Sequence, residues 1–125
     1  MLFRSNVSRR AARLPARYDM SLAANQRKLE IVTTLTGLAD EASLSLIELA
    51  LAFVLEHPAI SAAIIGPRTM EQLESQLSAP SIHLEAAVLD RIDEIVPPGS
   101  NVNPEDAGWA PSILANARRR RRHRR

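Results

Sequence analysis

Ser61-Ala-Ala-Ile-Ile-Gly-Pro-Arg-Thr-Met-Glu-Gln-Leu-Glu-Ser-Gln76 carries two structural signals and one chemical one. Its first six residues are apolar or small, do not alternate with polar ones, and lie between Pro58 and Pro67. That is the pattern of a short strand buried on both faces, as in a parallel sheet. Thr69-Met-Glu-Gln72 then reads as a capping box that starts a helix reaching about Leu77. A strand, a turn at Gly66 and a capped helix leave the helix's first amides unpaired and pointing back at the turn, which suits an anionic phosphate. Arg68, in that turn, offers a planar fork of donors that can hold a phosphate bidentately. Gln72, one turn into the helix, is placed to hydrogen-bond a sugar or a base.

Working outward, Leu29, Val32, Leu35 and Leu38 recur at intervals of three and draw the apolar stripe of a helix over about residues 25–40. Ser45-Leu-Ile-Glu48 is a capping box for a second helix, over about 46–56, whose composition is apolar nearly all round. Such a helix expects neighbours on several sides. Pro58 ends it, because a residue before proline is pushed out of the α region. Downstream, Val88, Leu89, Ile92 and Ile95 share one face of a helix over about 85–96, stopped by Pro97-Pro98. Pro104, Gly108 and Pro111 punctuate an irregular tail that holds Trp109. The expected order is helix, helix, strand, helix, helix. A lone strand of the doubly buried kind leaves its backbone groups unpaired, so the α/β pattern reads as part of a larger one.

The chain has 125 residues, enough for one domain, and 46% of them are hydrophobic but only 3% aromatic. With no cysteine, disulfides and thiolate-metal sites are excluded, and His57, His83 and His123 are too scattered for a metal reading. The apolar run Leu49–Leu55 lies between Glu48 and Glu56 and is too short to span a bilayer, which predicts a soluble, cytoplasmic protein with no membrane partner. Net charge is +2, unevenly spread. Residues 1–17 hold five arginines and no acid, and residues 118–125 hold seven arginines. Between them, Arg27, Lys28, Arg68 and Arg91 face all fourteen acids, a net −10. An acidic body argues against a nucleic-acid-binding fold, which needs a basic face.

Leu49-Ala-Leu-Ala-Phe-Val-Leu-Glu-His-Pro58 followed by Ala62-Ala-Ile-Ile-Gly-Pro-Arg-Thr-Met-Glu-Gln-Leu73 resembles the seventh helix, eighth strand and eighth helix of the aldo-keto reductases. Leu84–Val96 is similar to that family's late accessory helix, Pro98–Pro111 to its C-terminal loop, and Asn25-Gln-Arg-Lys-Leu29 to the stretch leading into helix seven. The resemblance runs from about Arg13 to Trp109. It implies the C-terminal fragment of a TIM (β/α)8 barrel, mostly helical with one buried parallel-type strand, and phosphate sites in such barrels commonly lie in the loops after strands seven and eight. It also implies reduction of small carbonyl compounds by hydride transfer from NADP(H). Gly66, Pro67, Arg68 and Thr69 would then hold the adenosine 2′-phosphate, Gln72 would contact the adenosine end, and Gln76 the adenine. Ser75 and Gln76 stand where the family usually has Glu and Asn.

The family's catalytic Asp, Tyr, Lys and His come from earlier strands, and no catalytic residue is assigned in this sequence. Its single lysine, Lys28, and single tyrosine, Tyr18, lie beyond where that set belongs. A barrel takes about 250 residues, so the chain alone is expected to be inactive. The organisation is read as a basic loop remnant over 1–18, the reductase-like part over 19–111, and a disordered Arg-rich tail over 112–125. The acid-free start superficially resembles a transit peptide but lacks a clear apolar face, and is read as the loop before helix seven.

Each residue also has a plainer reading. Arg68 is an ordinary solvated arginine in a capped turn, Gln72 the second half of its box, Gln76 a surface amide, and Trp109 a residue packing the tail. The alternative for the whole chain is a small helical interaction protein whose tail binds nucleic acid or an acidic partner. The tail itself offers only weak, sequence-independent polyanion binding through counterion release. Deletion of residues 118–125 is expected to abolish retention on a heparin column and leave NADPH affinity unchanged. Arg68→Ala is expected to do the reverse, weakening NADPH binding while leaving polyanion binding by the tail unchanged.

Overall fold

The computed structural model describes residues 13–103 and residue 116. A 3-10 turn at Pro15–Arg17 leads into α1 (Ala23–Glu41), α2 (Leu46–Leu55), α3 (Met70–Leu77), a second 3-10 turn at Ala79–Ser81, and α4 (Ala86–Ile95). α1 lies against both α2 and α4, while α2 also carries α3 and the second 3-10 turn. The core is formed by Leu38, Ala39, Leu49, Ala52, Leu84, Leu89 and Ile92, with Leu35, Leu44, Ile82, Val88 and Ile95 packed around it.

The four helices occupy the places that periodicity and capping boxes indicate, each within two residues. Their ends have local causes. α1 closes in a Schellman motif: Leu44 N–H donates to Ala39 O at 2.9 Å and Ser43 N–H to Asp40 O at 3.0 Å. The motif needs a left-handed residue, and here it is Ser43, at φ 56°, where glycine or asparagine would be less strained. α2 begins in the full Ser45–Glu48 capping box. After α4, Pro97-Pro98-Gly99-Ser100 turns tightly, with Ser100 N–H donating to Pro97 O at 3.1 Å and Gly99 at φ 77°.

One element departs from the sequence expectation. Residues 61–66, expected as a buried parallel-type strand, are irregular, and the described residues contain no strand, sheet or barrel. Residues 61–67 make no hydrogen bond among the described residues, and Ile64 is fully exposed. The reason is the one that made the strand puzzling. A strand exists through bonds to a neighbour, and none of the described segments offers one. The observed architecture is therefore helical, not α/β. Of the basic ends, Arg13 to Tyr18 contain the first 3-10 turn, whereas residues 1–12, Trp109 and the Arg118–Arg125 run lie outside the described residues.

Two other expectations were met only in part. Leu35 and Leu38 of the α1 stripe reach the core, but Leu29 and Val32, nearer its start, remain exposed. On α2 only Leu49 and Ala52 are buried, and Ile47, Phe53 and Val54 keep at least 40% of their surface in solvent. No helix in the described residues is long and apolar enough to cross a membrane.

Leu49 is 2% exposed at the centre of the core. Leu49→Ala is expected to cost about 2–5 kcal/mol, transfer and cavity terms together, measured by urea unfolding followed by circular dichroism. A cost near zero would mean that α2 is not the centre of packing.

Candidate functional site

The segment Gly66–Gln76 folds locally as the sequence indicates from Thr69 onward. Thr69 is the N-cap of α3, with extended backbone, and its hydroxyl accepts from Gln72 N–H at 3.2 Å. The reciprocal bond differs from a standard box. Gln72 Oε1 accepts from the Arg68 amide at 2.8 Å, one residue before the cap. Gln72 therefore closes the turn with its oxygen and keeps its amide NH2 group for other contacts.

Among the described residues, the Met70 and Glu71 amides and the Arg68 guanidinium have no hydrogen-bond partner. Gly66, Arg68, Thr69 and Gln72 are exposed, while Pro67 and Gln76 are half-buried. A Cβ added at Gly66 would meet nothing within 4 Å, and Gly66 is not among the residues with positive φ. This chain's own packing therefore does not require glycine there. Ser75 is already engaged, its hydroxyl donating to Gln72 O at 2.9 Å. The structure thus brings Gly66, Pro67, Arg68, Thr69 and Gln72 into one turn, with Gln76 one helical turn further along the same side of α3.

Three polar residues carry structural weight, and of these the sequence singles out only Glu48, as half of a capping box. Asn25 is 1% exposed, donates through Nδ2 to Ala16 O and Asp19 O at 2.8 Å each, and ties the chain before α1 to that helix. Its Oδ1 is buried with no partner among the described residues. Glu56, 8% exposed, accepts at Oε1 from the Leu84 amide at 3.3 Å and lies 3.4 Å from His83 Nδ1. Glu48 accepts from the Ser45 amide and hydroxyl through Oε2 at 2.9 and 2.8 Å, and from the Ser78 hydroxyl through Oε1 at 2.8 Å. Only the capping-box half of this pattern is a sequence signal, because Ser78 is thirty residues away.

The model of the aldo/keto reductase family matches residues 2–97, so the chain belongs to the aldo/keto reductase family. It is also similar to the uncharacterized oxidoreductase YrpG of Bacillus subtilis (strain 168), at 42% identity over 60 residues. That match takes in 48% of this chain and 18% of the relative, so the chain spans less than a fifth of the protein it matches.

Hydrogen bonds from the Ser45 amide, then the Ser45 hydroxyl, then the Ser78 hydroxyl hold the Glu48 carboxyl below its ordinary value of 4.5. A carboxylate stabilised in the folded state adds stability above its ordinary value and loses that contribution as pH falls through the lowered one. Glu48→Gln is therefore expected to lower the urea midpoint at neutral pH. The gap to the wild type should close as the solution is acidified past the lowered value. A gap independent of pH would mean that the charge of Glu48 contributes nothing.

Proposed function

We propose that Gly66–Gln76 forms the phosphate end of an NADP(H) site in an oxidoreductase that reduces small carbonyl compounds. The observation that carries the reading is the turn itself. An exposed guanidinium with no partner among the described residues, two uncommitted helix amides and an open space at Gly66 lie within six residues of chain. Family membership supports the same reading, since aldo/keto reductases use nicotinamide cofactors.

The residues fit a nucleotide phosphate. The space at Gly66, which a Cβ would enter without clash, lets a ligand approach the backbone closely. The Met70 and Glu71 amides provide donors at the positive end of the α3 dipole. Arg68 would grip the 2′-phosphate, the feature that separates NADPH from NADH. Pro67 and Thr69 would frame the turn, Gln72 would offer its free amide group to the adenosine, and Gln76 would lie toward the adenine. When bound, the cofactor supplies the hydride that passes to the carbonyl carbon. This chain's own part is to bind and orient the cofactor's far end. No turnover is expected from it alone, because Tyr18 and Lys28 are its single tyrosine and lysine and both lie before α2.

Titrations of NADPH and NADH fluorescence test the reading. Wild type is expected to prefer NADPH, and Arg68→Ala to lose about tenfold in NADPH affinity, the scale of one exposed charge-assisted contact. Gly66→Ala should weaken NADPH binding with an unchanged melting temperature, since nothing in the fold fills that space. Equal affinity of the wild type for NADPH and NADH would remove the phosphate assignment.

A further inference from the structure

α3 is thinly held for a helix that carries a binding turn. None of its eight residues is buried, and Met70 and Leu77 are 67% and 63% exposed. Only Leu73 and Gln76 are half-buried, and its main helix neighbour is α2. Its N-terminal bonds, Thr69 with Gln72 and Gln72 with Arg68, are internal to the turn and fix its shape, not its place on the body.

The place is set at the other end. Ser78, the C-cap of α3, donates its hydroxyl proton to Glu48 Oε1 at 2.8 Å. Oε2 of the same carboxylate is held by the amide and hydroxyl of Ser45. Both oxygens are engaged, so the carboxylate is fixed relative to the start of α2. Ala79 follows, 2% exposed, and opens the 3-10 turn that sits on α2. An α-helix is stiff, and eight residues span about 12 Å. A tilt of about 10° at Ser78 therefore carries the far end of α3 by about 2 Å, more than a preorganised phosphate contact tolerates.

We infer that Glu48, acting through Ser78, is a positioning residue for the Gly66–Thr69 turn, setting the orientation of α3 on the α2 scaffold. The inference rests on the cofactor reading above and adds to it a residue outside the turn. Glu48 touches no cofactor group itself. It serves the N-cap of one helix and the C-cap of the next, so the capping box that starts α2 also aims α3.

Ser78→Ala removes the link while leaving the Ser45–Glu48 box in place, and Ser78→Thr restores a hydroxyl. Three quantities are read on the full chain: NADPH and NADH affinity, amide hydrogen exchange over residues 70–77, and the melting temperature. Ser78→Ala is expected to speed exchange in α3 severalfold and to weaken NADPH binding about three- to tenfold, with the melting temperature nearly unchanged. Ser78→Thr should recover both, which a general loss of stability would not explain. Unchanged exchange in Ser78→Ala overturns the inference regardless of cofactor. Faster exchange with NADPH affinity unaltered also overturns it and leaves the cofactor reading intact. A wild type that does not distinguish NADPH from NADH overturns both, and that result comes from the unsubstituted chain alone.

Discussion

Helix α2 has more apolar surface than its described neighbours cover, and the rest of the structure is arranged around that surplus. Ten residues contain Leu46, Ile47, Leu49, Leu51, Phe53, Val54 and Leu55, yet only Leu49 and Ala52 are buried. α1 and α4 take one side through Leu38, Ala39, Leu89 and Ile92, where fully buried alanines at 39 and 52 occupy little room between helices. The uncovered side forms one wall of a groove of about 770 Å³, with Phe53, Val54, Ile60, Ile92, Val96 and Pro98 among its lining residues. Burial drives folding in proportion to the apolar area removed from water, so a hub helix left half in solvent contributes less than its composition allows.

The helices were legible because their signals are local. Periodicity of three to four, Ser45 with Glu48, Thr69 with Gln72, and proline at 58 and 97 each act within a few residues, and the structure places the helix boundaries accordingly. What failed depended on distant partners. The 61–66 segment has the composition of a doubly buried strand, but composition specifies only what a strand would do once a neighbour exists. Leu29 and Val32 are similar: the stripe exists, and the described body ends before reaching it. The buried roles of Asn25 and Glu56 have no sequence signal for the converse reason, since buried polar groups are chosen by the carbonyl or amide they meet, which periodicity does not encode.

The candidate site shows the same division. Gly66, Pro67, Arg68, Thr69 and Gln72 are neighbours in sequence, so the turn could be read directly and its capped helix is present. The detail that Gln72 bonds the Arg68 amide, one residue before the cap, has no separate signature. The family match spans residues 2–97 and so includes this turn. Ser75 bonds back onto α3 through the Gln72 carbonyl, as serine commonly does inside a helix.

Glu48 in the first turn of α2 and Glu56 at its C-cap have a consequence for how the chain reaches this state. Most backbone bonds described here join residues within a helical turn, and Asn25 reaches back only nine positions. Glu48 to Ser78 and Glu56 to Leu84 span 30 and 28 positions. Each closes a loop that contains the whole irregular 61–67 segment, and each carries the entropy of that closure. Helices form quickly from local contacts. The slower event is the return of residues 78–84 to α2, so the conformational search is concentrated in the excursion between the two halves of one helix's contacts.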